Sequence, residues 1–481
     1  MSETLKKKTV SALVWNGVDK IGVQVIQFSV GILTARILSP KDFGLIGALT
    51  IFIFLSNLLI TSGFTSALIR KENVTNEQYS AVLYLNIAVS IVLYVILYFS
   101  APCIADFFEM PELTSLSRLI FISIIFNSLG VVQVAKLTKE FKFKALTAAD
   151  LSSYILTGVV TIWLSVSGYA YWAIAWQQVL LVAVSMTILW ITHPIKLSLK
   201  PEFKVIKELF KFSSNLLFTG FVSLVATNIY NVIIGKVYKV NELGFYSQAK
   251  KYQQIANNTI TLTLQGVAYP TFTSLNKEPE RQLLYLRKMT RVAAFIILPM
   301  TAIVLAMAEP LITIVLSSKW LPFADYLRIL MIGGLTYSFH ALFISMSMAN
   351  GKMKQYLFLE IFRSTILLAS VPFCLHSIYT LLVGSTIAYF VSYCFDLFII
   401  QKQFGYKIIE HAKDIAPYII LSIGMYLIIK LEIAFIPLGI YSKTIALLLS
   451  SMAFYLLSLH LLKSQVFIDI ITMIKENRQK K

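Results

Sequence analysis

The chain has 481 residues, 57% of them hydrophobic and 14% charged, and a mean hydropathy of +0.74. That composition excludes a soluble globular domain and makes the bilayer the main solvent. The net charge of +18 does not point to nucleic acid, because the cations fall in alternate short loops instead of on one surface, so the implied partner is a phospholipid membrane.

The N-terminus, Met1 to Lys8, is short and basic. The apolar stretch after it carries Asn16, Asp19, Lys20 and Gln24, which reads as an uncleaved first span and not as a signal-peptide core. Apolar runs of membrane length predict an all-α polytopic fold of about 14 spans. The first half holds 11–34, 43–63, 80–102, 115–135, 150–168 and 170–192. After a basic loop come 212–235, 247–273, 290–308, 326–349, 355–375, 378–400, 414–430 and 440–462. The expected organisation is an N-terminal lobe at 1–195, a C-terminal lobe at 196–403, and two extra helices with a basic tail at 404–481.

Loop charge sets the orientation. With the N-terminus inside, about 29 lysines and arginines lie in cytoplasmic segments, from Lys6 to Lys8 through Lys136, Lys139, Lys142 and Lys144 to the C-terminal Lys480 and Lys481. The opposite loops hold about 7, namely Arg36, Lys41, Lys236, Lys239, Lys319, Lys430 and Lys443, along with the acidic turn of Asp106, Glu109 and Glu112. This asymmetry places both termini in the cytoplasm.

A repeat closes the loop after the first helix of each half. Arg36, Asp42 and Gly44 recur 200 positions later as Lys236, Glu242 and Gly244. The two halves then run in the same direction, as in transporters built from parallel repeats, and a central cavity is expected between them. Polar residues at helical spacing mark the corresponding spans. They are Asn16, Lys20, Gln24 and Gln27 in the first, Asn57 in the second, Asn215, Thr219, Ser223, Thr227 and Asn231 in the seventh, and Lys250, Lys251, Gln254, Asn257, Thr261 and Gln265 in the eighth. One reading lines an aqueous path with them; the other uses them as hydrogen-bonding glue between helices.

Lys20, Lys250 and Lys251 outnumber the acid Asp19 in this region, so the path is expected to be electropositive and suited to a pyrophosphate, with the neutral amides facing sugar hydroxyls. Asp19, Glu360, Arg363 and Asp396 are candidates for coupling to a driving ion, although Glu360 and Arg363 also have the spacing of a structural pair along one helix. The five histidines are scattered, the three cysteines are assigned to packing, and no metal, nucleophile or phosphate-cradle pattern stands out, so no cofactor and no enzyme activity are expected.

The segments Ala35-Arg36-x-Leu38-Ser39-Pro40-x-Asp42-Phe43-Gly44, Leu243-Gly244-Phe245-Tyr246-Ser247-Gln248-Ala249 and Val267-Ala268-Tyr269-Pro270 resemble the polysaccharide transporter family, the Wzx-like flippases of the multidrug/oligosaccharidyl-lipid/polysaccharide exporter superfamily. The resemblance runs over essentially the whole chain. It implies two six-helix lobes in a V shape in a bacterial inner membrane, and alternating access carrying an undecaprenyl-pyrophosphate-linked oligosaccharide to the periplasmic leaflet. It also implies polysaccharide polymerase machinery as a partner, a groove for the lipid tail beside the last two helices, and a proton, sodium ion or the membrane potential as driving force. The rival expectations are a multidrug antiporter on the same fold, which would want buried carboxylates, and a membrane glycan polymerase, which would want a large external loop.

Overall fold

A computed structural model describes residues 3–61, 64–435, 439–469 and 472 of the chain. Among them the first half forms α1 (Glu3–Ile37), α2 (Pro40–Thr61), α3 (Phe64–Arg70), α4 (Asn76–Phe108), α5 (Leu113–Ile120), α6 (Ile122–Lys139), α7 (Phe143–Val166) and α8 (Tyr171–Thr192). The second half forms α9 (Lys204–Val237), α10 (Val240–Ser274), α11 (Pro279–Val315), α12 (Phe323–Ala349), α13 (Met353–Ser370), α14 (Ile378–Phe404), α15 (Ile408–Phe435) and α16 (Ile440–Leu461). No strand occurs among the described residues. The side chains of Asn16, Asn215 and Thr219, and the basic tail from Lys475 onward, lie outside them.

Every predicted span has its helix, with α2 and α3 sharing one span and α5 and α6 another. Among the described residues, thirteen stretches are long and apolar enough to cross a membrane. The eighth predicted span is not among them. Its helix, α10, is 35 residues long, ample for a crossing, but its lysines and amides dilute the apolar signal. Helix ends also overrun the predicted ones. The 37 residues of α11 reach about 55 Å at about 1.5 Å per residue, against a hydrocarbon core of about 30 Å, so its polar first turns belong to the interface.

Packing divides the chain into two compact units, 1–247 and 248–481. The boundary falls inside α10 and not at 195/196, because α9 packs on α2: Gly220 meets Leu58, and Asn231 donates to the Gly47 carbonyl at 3.3 Å. Elsewhere in unit 1, α1 lies along α7, where Gly22 receives Leu151 and Gly158 receives Val30. In unit 2, α11 packs on α12 and α15, and α12 on α14, around Phe272, Leu286, Ala293, Phe343 and Met425, all buried. Of the cysteines, Cys374 packs on Gly384, but Cys103 and Cys394 are exposed, which corrects their assignment to packing. An apolar span does not distinguish a lipid-facing cysteine from a buried one.

The two repeat motifs share one local structure, within unit 1. A helix stops at Ile37 and restarts at Pro40; 200 positions later one stops at Val237 and restarts at Val240. Ser39 gives both its backbone N–H (2.8 Å) and its hydroxyl (2.7 Å) to Asp42, with Pro40 as first helical residue. An acid in the third helical position reaching back to the cap satisfies a donor the helix leaves open, and its charge suits the positive helix start. The glycines have a different cause. A methyl group at Gly44 would overlap the Val240 carbonyl, and one at Gly244 would overlap the Pro40 carbonyl. The two helix starts therefore cross backbone to backbone, each glycine seated on the other motif.

The acidic turn after α4 lies over this crossing. Glu112 accepts from Lys41 at 2.7 Å and Glu109 from Lys236 at 2.8 Å, one lysine from each motif. The lysine contacts hold both carboxyls below their ordinary value of 4.5.

Replacing Gly44 or Gly244 with Ala should cost about 1–3 kcal/mol of overpacking strain, read as a lower apparent melting temperature in detergent. Because separating the crossing relieves both overlaps, the double variant should lose less than the sum of the two. A carboxyl lowered by folding binds fewer protons in the folded state, so its stabilisation is present above pH 4.5 and lost on acidification. The Glu109→Gln/Glu112→Gln variant should accordingly show a weaker fall in melting temperature than the wild type between about pH 6 and pH 3.5.

Candidate functional site

Each unit places ionisable groups inside membrane-length helices, where they need water or partners. In unit 1, Asp19 on α1 lies within electrostatic range of Asp150 on α7, and Asp150 accepts from Ser185 on α8 at 2.9 Å. One carboxylate oxygen of Asp19 is buried with no hydrogen-bond partner. Lys20, the neighbour of Asp19, is exposed, while Gln24 and Gln27 are half-buried on the same helix.

Several residues expected along the sugar path serve packing instead. Asn127 on α6 donates to Asn57 on α2 at 2.9 Å, and Asn231 is buried on Gly47. In unit 2, Asn257 donates to the Gly334 carbonyl at 3.3 Å, Thr261 pairs with Ser338 at 2.9 Å, and Gln265 donates to Ala341 at 3.4 Å. Their spacing of four residues forms one seam between α10 and α12. The sequence stripe therefore splits: 257, 261 and 265 are glue, whereas Gln254 and Asn258 are exposed and Lys250 and Lys251 half-buried.

Three of the four coupling candidates converge in unit 2. Asp396 on α14 and Glu360 on α13 both reach His340 on α12, at 2.6 Å from Nδ1 and 3.3 Å from Nε2. Side-chain exposure is 5% for His340, 1% for Asp396 and 19% for Glu360, so Glu360 is the accessible rim. Arg363 sits over the rings of Tyr337 and Tyr389, 5.0 Å from each centroid. Glu360 reaches across to α12, and Arg363 lies between two rings. Asp19 is not part of this group and belongs to unit 1.

Spacing along the chain marks no role for His340, since its partners are 20 and 56 residues away. The usable signal was an ionisable residue in the middle of an apolar span. A second unforeseen group ties α11 to α15. Asp414, buried, accepts from Arg287 (2.8 Å), Arg291 (2.7 Å) and the Tyr406 hydroxyl (2.9 Å). Burial first, and then the Asp414 carboxylate, hold the Tyr406 hydroxyl above its usual range, so it remains a donor.

These elements define a polytopic all-helical membrane protein with charged and polar groups set within its spans. The chain belongs to the polysaccharide biosynthesis protein family, whose model matches residues 33–325. It is 26% identical to the succinoglycan biosynthesis transport protein ExoT of Rhizobium meliloti over 66% of this chain and 65% of that one. It is likewise 26% identical to the teichuronic acid biosynthesis protein TuaB of Bacillus subtilis, over 69% of each chain. The fold is shared with solved membrane transporters. The lipid II flippase MurJ, in an inward closed conformation, superposes with a TM-score of 0.77 at 16% identity, covering 95% of this chain and 100% of that one. An inward-facing multidrug resistance MATE transporter superposes with a TM-score of 0.63 at 16% identity, over 81% and 98%.

Removing the shared acceptor of the α11–α15 contact leaves two partly buried guanidinium groups without it. Asp414→Asn should cost about 3–5 kcal/mol, seen as a large drop in apparent melting temperature, whereas Glu410→Gln at the more exposed edge should change it little.

Proposed function

We propose that the chain is a flippase that moves undecaprenyl-pyrophosphate-linked oligosaccharide repeat units from the cytoplasmic to the periplasmic leaflet of a bacterial inner membrane, for assembly of a surface polysaccharide. The observation that carries this reading is the presence of Lys20, Lys250 and Lys251 within long helices of a chain from a polysaccharide biosynthesis family. Lys250 lies ten residues into α10, about 15 Å along its axis, or roughly half the depth of a hydrocarbon core. A pyrophosphate entering from either leaflet is an anion suited to a cation at that depth. Exposed Gln254 and half-buried Gln24 and Gln27 offer amides to sugar hydroxyls.

Turnover moves cargo by alternating access and makes or breaks no covalent bond, so the chain acts as a transporter without a cofactor. Both termini are cytoplasmic in this reading, as the loop charges require, and the product leaves to polysaccharide polymerase machinery. A multidrug antiporter is the second reading, favoured by the carboxylates Asp19 and Asp150 close together in unit 1. Loss of the protein separates the two: a glycan flippase predicts loss of surface polymer with accumulation of its lipid-linked precursor, and a drug exporter predicts drug sensitivity with normal polymer.

The Lys250→Gln/Lys251→Gln variant should insert normally into membranes and lose most surface polymer export. Unchanged export would remove both lysines from the substrate path.

A further inference from the structure

The His340 cluster has a proton count that its geometry fixes. A neutral imidazole has one N–H and one bare nitrogen, and an ionised carboxylate only accepts. Here both ring nitrogens face carboxylate oxygens, Nδ1 toward Asp396 and Nε2 toward Glu360. With both acids ionised and the ring neutral, one nitrogen lone pair would point at an oxygen lone pair. Adding one proton removes that clash, wherever in the triad it resides. The charge count agrees. Asp396, Glu360 and Arg363 sum to minus one, and a further proton brings the group to zero, the state that a buried low-dielectric site favours.

The described neighbours on these helices are hydroxyls, a thiol and aromatic rings. From α14, Tyr389 and Tyr393 approach the acids, and Cys394 is close by; from α13, Tyr356 lies near Glu360; from α12 itself, Tyr337 stacks on Arg363. The Tyr393 hydroxyl is hydrogen-bonded to His411 of α15, and α10 contributes the neutral hydroxyl of Thr261 on Ser338. The second oxygen of Asp396 is buried with no hydrogen-bond partner, leaving the deep end one acceptor short of satisfied, while Glu360 at the rim is the accessible end.

We infer that His340, Asp396 and Glu360 form a proton-binding site in which occupancy by one exchangeable proton holds α12, α13 and α14 together. This deepens the transport reading above and rests on it for the role of the proton as driving ion. The step balances simply. The proton enters at Glu360, the more exposed end, is held as Nδ1–H to Asp396 and Nε2–H to Glu360, and leaves as hydronium or to a base on release. Departure leaves a net charge of minus one and a bare nitrogen facing a carboxylate, so α13 is pushed from α12. Proton loss thereby becomes a change in helix spacing.

Two measurements on the full chain test this. Nitrogen-15 histidine NMR in lipid nanodiscs, with the His340 signal assigned by its loss in His340→Gln, should show a protonated ring at neutral pH whose deprotonation moves to lower pH in Glu360→Gln, a rim substitution that disturbs folding least. A neutral ring at pH 7, unaffected by Glu360→Gln, overturns the site. Proteoliposomes containing an undecaprenyl-pyrophosphate-linked glycan and entrapped pyranine should show glycan movement that rises with a pH gradient and carries protons. In Asp396→Asn and Glu360→Gln the proton flux should fall at least tenfold. Glycan movement indifferent to the gradient overturns the coupling role alone. Absence of glycan movement in the wild type under any gradient overturns the transport reading instead, and the NMR result still decides the proton site.

Discussion

A polar side chain inside a bilayer must find water or a partner, and most of what is specific about this chain follows from that constraint. Apolar residues make the helices long enough to span, but they scarcely distinguish one span from another. The polar minority determines which helices touch. Asn231 on Gly47 brings α9 to α2, the seam from Asn257 to Gln265 brings α10 to α12, and Asp414 with its two arginines binds α15 to α11. Where such contacts lie, the compact units follow, which is why the packing boundary falls within α10 and not in the basic loop before α9.

The helices were legible in the sequence because a run of about 20 apolar residues has few alternatives to a membrane helix. Their ends were less so, since interfacial turns such as the first ones of α11 are helical without being apolar. The repeat was visible from three residues at one offset, and the structure supplies a reason for two of the kinds: Asp42 caps a helix start, and Gly44 and Gly244 permit two backbones to cross. Those are folding roles. The resemblance of the motifs across halves reports a shared way of turning a chain, and says little about cargo.

The candidate site was legible only in part. Periodicity places Asn257 and Gln254 on adjacent strips of one helix, but whether a strip faces a neighbour or an open space depends on the partner helix, which period does not reveal. Asn57, Asn231 and Asn257 proved to bond to other helices, whereas Lys20 and Gln254 are exposed. Glu360, Arg363 and Asp396 were recognisable as costly residues, yet the group they join is centred on His340, 20 residues from Glu360 and 56 from Asp396. Contacts of that separation leave no periodic trace in one sequence.

The two units hold their buried acids differently. In unit 1, Asp19 and Asp150 lie near one another with a serine hydroxyl as the described donor to Asp150. In unit 2 an imidazole stands between two acids with an arginine close by, which allows a neutral state when one proton is held. Two like carboxylates repel and favour whatever cation or proton separates them; an imidazole in contact with both carboxylates joins the helices that carry them. Two units whose buried charges differ in this way respond unequally to the same ion. Such inequality lets the occupancy of one site favour one conformation over another.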